Sequence, residues 1–396
     1  MTSDRLVGET AFVPAVATDD VAYINSKVLT WAIDRSRMSR ADVAAKVKVS
    51  EQQIREWERK KNPPFKKARE LARVLQFPFG YFYLGKPPQD DLPIPDFRRL
   101  GREYRPTPEF LQLLNDVLVR QDWFRDHLKE AGRPKELKFI GEFSVDSNVS
   151  DVAVDIRRTL KITPELRGSI SSWTEYLSTL VRNAEEAGIL VMRSSVVGNS
   201  TNRQLSTKEV QGFAIADPVV PMVFVNSGDF KAAQIFTFAH ELAHLWIGQS
   251  AITNPDETAP DTNRIEAFCN RVAASVLLPK NEFSSAWDNM HADSRLAVLP
   301  RRFWVSSLVV LRRAHDLERL STEDFHELVE VERGKLTKAK KPGGGDFYRT
   351  LVVRMGSKFT YSVVGEVNRN KLLIRDAARL LSISPRSLAK FAEMAK

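Results

Sequence analysis

The chain has 396 residues, 43% hydrophobic and 28% charged, enough apolar material to bury a core spread over two to four domains. Its net charge of +9 permits contact with nucleic acid or an acidic partner without proving either. The lone cysteine, Cys269, excludes an intrachain disulfide framework, and the sequence has neither a signal-peptide pattern nor an apolar run of about 18 residues, so a soluble, cytoplasmic protein with no membrane contact is expected.

Residues 1–24 read as a loose polar arm, and 25–78 as a set of short amphipathic helices. From Phe77 to Leu100 the chain is rich in proline and aromatic residues, which marks an extended linker or clamp that packs on something. It opens a linker and helical segment, 79–165, with helices expected over 107–132 and 150–161. A domain is expected over 166–335. In it a helix at 171–187 stops at Gly188, a strand runs over 188–195, and two more strands over 212–217 and 220–226 flank a proline-containing turn. Helices follow at 229–247, at 263–279 (ended by Pro279) and at 301–317. A basic, glycine-rich linker, 336–346, then separates a C-terminal helical segment, 347–396. No internal repeat at a fixed period is visible.

The stretch TFAHELAHLWIG carries the chemistry. His240 and His244 are four residues apart, which on a helix puts both imidazoles on one face, able to grip one metal ion. Glu241 can face the same cavity and accept a proton from water activated by the metal. The alternative is a helix with two ordinary polar histidines. The apolar flanks (Phe236, Phe238, Leu242, Leu245, Trp246) argue against it, because they bury the helix and buried histidines need partners. A catalytic zinc takes a third protein ligand and keeps one position open. Glu266, on the next helix among Ile265, Ala267 and Phe268, is the expected third ligand; Glu257 and Asp261 compete from a proline-containing loop. Asn270, one turn beyond Glu266, can hydrogen-bond a histidine ring nitrogen and fix its orientation.

The run from GFAIAD through FTFAHELAHLWIG to NRIEAFCNRVAASVLLP resembles the ImmA/IrrE family of zinc metallopeptidases over about residues 170–330. In that family a strand pair precedes the H-E-x-x-H helix and an E-x-x-A-N-x-F-A-x-x-L-L-x-P-like helix follows. Here the second element is Glu266, Cys269, Asn270, Val272, Ala273, Leu277, Leu278 and Pro279, with cysteine for the usual alanine and valine for the usual phenylalanine. RRFWVSSLVVLRR resembles a later segment of the same family. The resemblance implies a small α+β zincin-like metallopeptidase domain in a mainly α protein. It also implies functions in repressor cleavage, stress response or control of mobile elements.

MSRADVAAKVKVSEQQIREWERKKNPP resembles the XRE/Cro-type helix-turn-helix at Ser39, Val43, Ala44, Val49, Ser50, Ile54, Trp57, Glu58 and Pro63, which implies an all-α N-terminal domain. Ala44 lets the two helices approach, Val49, Ile54 and Trp57 form the small core, and Ser50 is placed to cap the recognition helix. Lys48 stands where the turn usually has glycine, so either it takes a positive φ or the turn differs, at some cost in stability. Ser50, Glu51, Gln52, Gln53 and Arg55 are the expected groove-facing residues; glutamine can read adenine, and arginine guanine. Arg59, Lys60 and Lys61 are expected on phosphates. Residues 25–75 hold 14 basic and 6 acidic side chains, so most of the net charge lies here, as phosphate binding requires.

Two functional readings result. In one, a DNA-binding regulator, read as a homodimer, carries a zinc metalloendopeptidase that hydrolyses a protein such as a repressor, with the strand at 220–226 pairing with the extended substrate. In the other, a transcriptional regulator or antitoxin of a toxin–antitoxin pair uses the same fold to sense or bind a partner and cuts nothing.

Overall fold

The computed structural model describes residues 21–36, 38–88, 94, 106–253, 263–335 and 346–394. The chain forms two compact units, described in turn. The first contains α1 (Ser26–Ser36), α2 (Arg40–Val47), α3 (Glu51–Glu58), α4 (Phe65–Val74) and a 3-10 turn, Phe79–Tyr83. Each of α2 and α3 starts on a serine that accepts a hydrogen bond from the third residue of its helix, and in each that third residue bonds back to the serine amide. Lys48, between them, takes the left-handed conformation at φ 57°. Ala44, Val47, Ile54, Trp57, Leu71, Phe77 and Phe82 fill the core. This unit is larger than the expected 25–78. Ala22 and Ile24 are buried in its core and the Ala22 amide donates to the Pro63 carbonyl, so the arm ends before residue 22. Phe82 packs edge-on against Phe77, and Asn25 bonds the chain at Phe82 and Leu84, so the aromatic stretch after residue 78 closes this unit and is no linker.

The second unit opens with α5 (Pro108–Glu130), α6 (Val149–Thr159), α7 (Pro164–Ser169) and α8 (Trp173–Ala187). Next come β1 (Leu190–Ser194), β2 (Gly212–Ile215), β3 (Met222–Asn226), α9 (Lys231–Trp246), β4 (Ala251–Thr253) and α10 (Arg264–Leu277). The remaining helices are α11 (Lys280–Asp288), α12 (Ala292–Phe303), α13 (Ser307–Asp316), α14 (Thr322–Lys335), α15 (Phe347–Met355), α16 (Ser357–Asn368), α17 (Ile374–Leu380) and α18 (Pro385–Met394). The sheet order is β1-β3-β2-β4; β1 runs parallel to β3, and β2 antiparallel to both of its neighbours. In the β2–β3 turn, Asp217 Oδ1 accepts from the amides of Val219 and Val220, a local bond that reverses the chain.

Side chains alternate across the sheet. Val191, Ala214, Val223 and Val225 join the core with α6, α8, α9 and α10. Leu190, Met192, Phe213, Ile215, Met222, Phe224 and Ile252 join a second core with α5 and the helices α15–α18. The expected divisions at 165/166 and 335/347 therefore correspond to no break in packing: residues on both sides of each bury apolar surface on the same sheet. The expected linker, 336–346, lies almost wholly outside the described residues. The helix expected over 301–317 is two helices, because Trp304 turns left-handed at φ 57° and Ser306 caps a new start. Among the described residues no helix is long and apolar enough to cross a membrane.

Candidate metal centre

The helix α9 is almost wholly buried, packed between the sheet and α10. Its end is pinned by Trp246, whose indole N–H donates to the buried carboxylate of Asp155 at 2.8 Å and whose ring stacks on Phe139. His240 and His244, one turn apart and fully buried, turn their Nε2 atoms toward each other at 3.1 Å. Glu266, in the first turn of α10, brings Oε2 to 3.3 Å from His240 Nε2 and Oε1 to 3.3 Å from His244 Nε2. Asn270 Oδ1 lies 2.8 Å from His240 Nδ1. With that carbonyl accepting, the Nδ1 holds the proton and the Nε2 lone pair points into the triangle of donors.

The donor set suits zinc. A tetrahedral ion with bonds of about 2.0–2.1 Å has ligand atoms about 3.3 Å apart, the spacing found here, and two histidines with one carboxylate leave the fourth position of a catalytic site. Burial works against charge on all three groups. For Glu266 the two imidazoles outweigh it and hold the carboxyl far below the usual carboxylate range. For His240 the hydrogen bond and charge of Glu266 outweigh burial and raise it, whereas burial keeps His244 below its ordinary value. Glu257 and Asp261, the competing ligands, lie outside the described residues.

Glu241 is fully buried beside this triangle, and its Oε1 accepts a hydrogen bond from the Thr253 hydroxyl. Thr253, on β4, pairs with Gly212 on β2, and both positions face α9. A Cβ on Gly212 would lie 2.5 Å from Glu241 Oε1 and 2.6 Å from Thr237 Cγ2, so only glycine leaves room for the carboxylate. Neither Thr253 nor Gly212 follows from the motif, since both reach the site through strand pairing. The strand expected to take a peptide, β3, lies between β1 and β2 with both sides hydrogen-bonded, so it has no side left to offer. Among the described residues β4 has one partner strand, and it is the strand that carries Thr253.

Residues 184–315 match the M78 peptidase family model, described as the IrrE N-terminal-like domain. This IrrE-like stretch begins within α8, ends within α13, and contains every residue of the triangle together with Glu241, Asn270, Gly212 and Thr253. Residues 32–82 match a second family model, helix-turn-helix. No curated protein matches the chain.

In the helix-turn-helix, Gln52, Gln53 and Arg55 are exposed on α3. All three have partners within the element. Gln53 Oε1 accepts from the Ser50 amide at 3.0 Å, and Arg55 Nε donates to Glu51 at 3.0 Å. Gln52 is the least committed, at 3.4 Å from Glu56. Lys61 pairs with Glu56, and Arg59 and Lys60 are exposed at the end of the helix.

Proposed function

We propose that the protein is a DNA-binding regulator whose IrrE-like domain is a zinc-dependent peptidase acting on a protein substrate such as a repressor. The observation that carries this reading is the buried triangle of His240, His244 and Glu266 with the Glu241 carboxylate beside it on the same helix. His240, His244 and Glu266 would hold the ion. When bound, zinc supplies Lewis acidity and makes water nucleophilic at neutral pH. Glu241 takes the proton from the attacking water, and the Thr253 hydroxyl fixes the rotamer from which it does so. Asn270 keeps the His240 tautomer that presents Nε2.

The match at 32–82 supports DNA binding, and a homodimer reading two half-sites belongs to this reading. The same match also favours a second one, in which the chain is a regulator or the antitoxin of a toxin–antitoxin pair and the zinc fold binds its partner without cutting it. Glu241→Gln separates the two. It preserves size and the ligands and removes the base, a role worth about 10²–10⁴-fold in rate. A peptidase should keep its zinc and DNA binding and stop processing proteins encoded beside it. Unchanged target turnover and regulation in this variant would rule out hydrolysis.

A further inference from the structure

The C-terminal helices share a turn and a burial pattern with the N-terminal DNA-binding element, and although α6–α7 and α12–α13 have similar left-handed, capped turns, only here do the flanking residues match as well. At one constant offset, Ala44, Lys48, Val49, Ser50, Ile54 and Trp57 correspond to Ala378, Ser382, Ile383, Ser384, Leu388 and Phe391. Burial matches position by position: Ala44, Ile54 and Trp57 are buried, and so are Ala378, Leu388 and Phe391. The turn matches bond by bond. The amides of Lys48 and Val49 donate to the carbonyls of Ala45 and Ala44, and those of Ser382 and Ile383 to Arg379 and Ala378. Lys48 and Ser382 are both left-handed, at φ 57° and 54°. Ser50 caps α3 through the Gln53 amide, and Ser384 caps α18 through the Ser387 amide.

A helix pair with this shape could be only scaffold, so the exposed chemistry decides. On α3 the outward positions Glu51, Gln52 and Glu56 become Pro385, Arg386 and Lys390 on α18, so acidic and neutral groups give way to basic and neutral ones. Arg375 and Arg379 of α17, with Arg386 and Lys390 of α18, are all exposed. Residues 369–394 carry six basic and two acidic side chains. Ser387 and Ala389 are small enough to let the helix approach a groove closely.

We propose that α17 and α18 form a second helix-turn-helix whose partner is duplex DNA, which gives each chain two DNA-contacting heads. The inference rests on reading residues 32–82 as a DNA-binding element but is independent of whether the IrrE-like domain cuts anything. The test uses the full-length protein and a short random-sequence duplex at low salt. Three variants are compared with wild type: Lys60→Glu/Lys61→Glu, Arg386→Glu/Lys390→Glu, and all four together. Each pair alone should leave salt-dependent binding. The Arg386/Lys390 pair should lower the slope of log K against log salt by about 1.8, for two lost phosphate contacts, and the four together should abolish binding. Wild type should also retain a second, free duplex on beads that carry the first, and the Arg386/Lys390 variant should retain less of it than wild type at equal protein concentration. Arg386→Ala/Lys390→Ala, milder at the surface, should shift slope and bridging in the same direction with an unchanged far-ultraviolet circular dichroism spectrum. Wild-type affinity, slope and bridging in both Arg386/Lys390 variants would overturn the proposal and leave α17–α18 as scaffold or a protein contact. So would a wild-type protein that binds no duplex. Zinc content and Glu241 are untouched throughout, so failure here is distinguishable from failure of the peptidase reading.

Discussion

Gly212→Ala is the sharpest probe of how the site is built. The added methyl would meet Glu241 Oε1 at 2.5 Å, Thr237 Cγ2 at 2.6 Å and the Phe224 carbonyl at 3.0 Å. Glu241 and Thr237 are buried on a helix pinned at its end by Asp155, so neither can swing into solvent. Ordinary contact begins at 3.4 Å, so Glu241 must give by about 0.9 Å and Thr237 by about 0.8 Å, and overpacking of this kind costs about 1–3 kcal/mol. Lower chain entropy in the unfolded state returns about 0.4–1 kcal/mol, leaving a net loss of about 1–2 kcal/mol. His240, His244 and Glu266 are not touched. Urea denaturation should therefore show a lower midpoint, while metal analysis shows zinc at the wild-type level. Activity should fall with the displaced Glu241–Thr253 bond. A wild-type midpoint together with wild-type turnover would refute the packing argument, because it would mean that the carboxylate is not where the strand pairing puts it.

Asn270→Ala should weaken zinc binding by about 10–100-fold through loss of the hydrogen bond that orients His240, measured by competition with a chromophoric chelator; unchanged affinity would mean that Asn270 sets nothing. Asp217→Asn tests the β2–β3 turn. Burial opposes ionisation of Asp217, but the Val220 and Val219 amides and the Arg125 guanidinium outweigh it and hold the carboxyl below its ordinary value. A depressed carboxyl stabilises the fold fully above the unfolded value near 4 and loses that effect as pH falls through the folded one. The variant should thus be less stable at neutral pH by about 1 kcal/mol, a figure kept low because the pair is partly exposed, and the gap should close in acid below about pH 4. A gap that persists unchanged at low pH would assign the loss to packing.

The triangle of His240, His244 and Glu266 was legible because its geometry is local. Four-residue spacing fixes His240 and His244 on one helical face, and apolar neighbours turn Glu266 inward on the next helix. Thr253 and Gly212 were not, because β4 has three residues and no periodic signal, and its pairing with β2 is a long-range choice. The far layer of the second unit does leave a signal in the sequence. MVFVN and GFAI are apolar at nearly every position, the mark of strands covered on both faces, and the C-terminal helices are part of that cover. The turn in α17–α18 was hidden because Phe391 and Ala392 stand where the N-terminal element has Trp57 and Glu58, so only backbone bonds and burial show the likeness.

The seating of α15 on β1 has a consequence for solubility. Gly356, just after α15, runs so close to this outermost strand that a Cβ would come within 2.6 Å of the Val191 carbonyl. The adjoining α16 is fastened by Glu185, which accepts from the Ser357 hydroxyl and the Lys358 amide. A chain cut after α14 would lose this guard and bare a row of carbonyls and amides, along with the apolar side chains of the far layer. Such strands pair with copies of themselves. A version cut after α14 should therefore precipitate or associate even with His240, His244 and Glu266 in place.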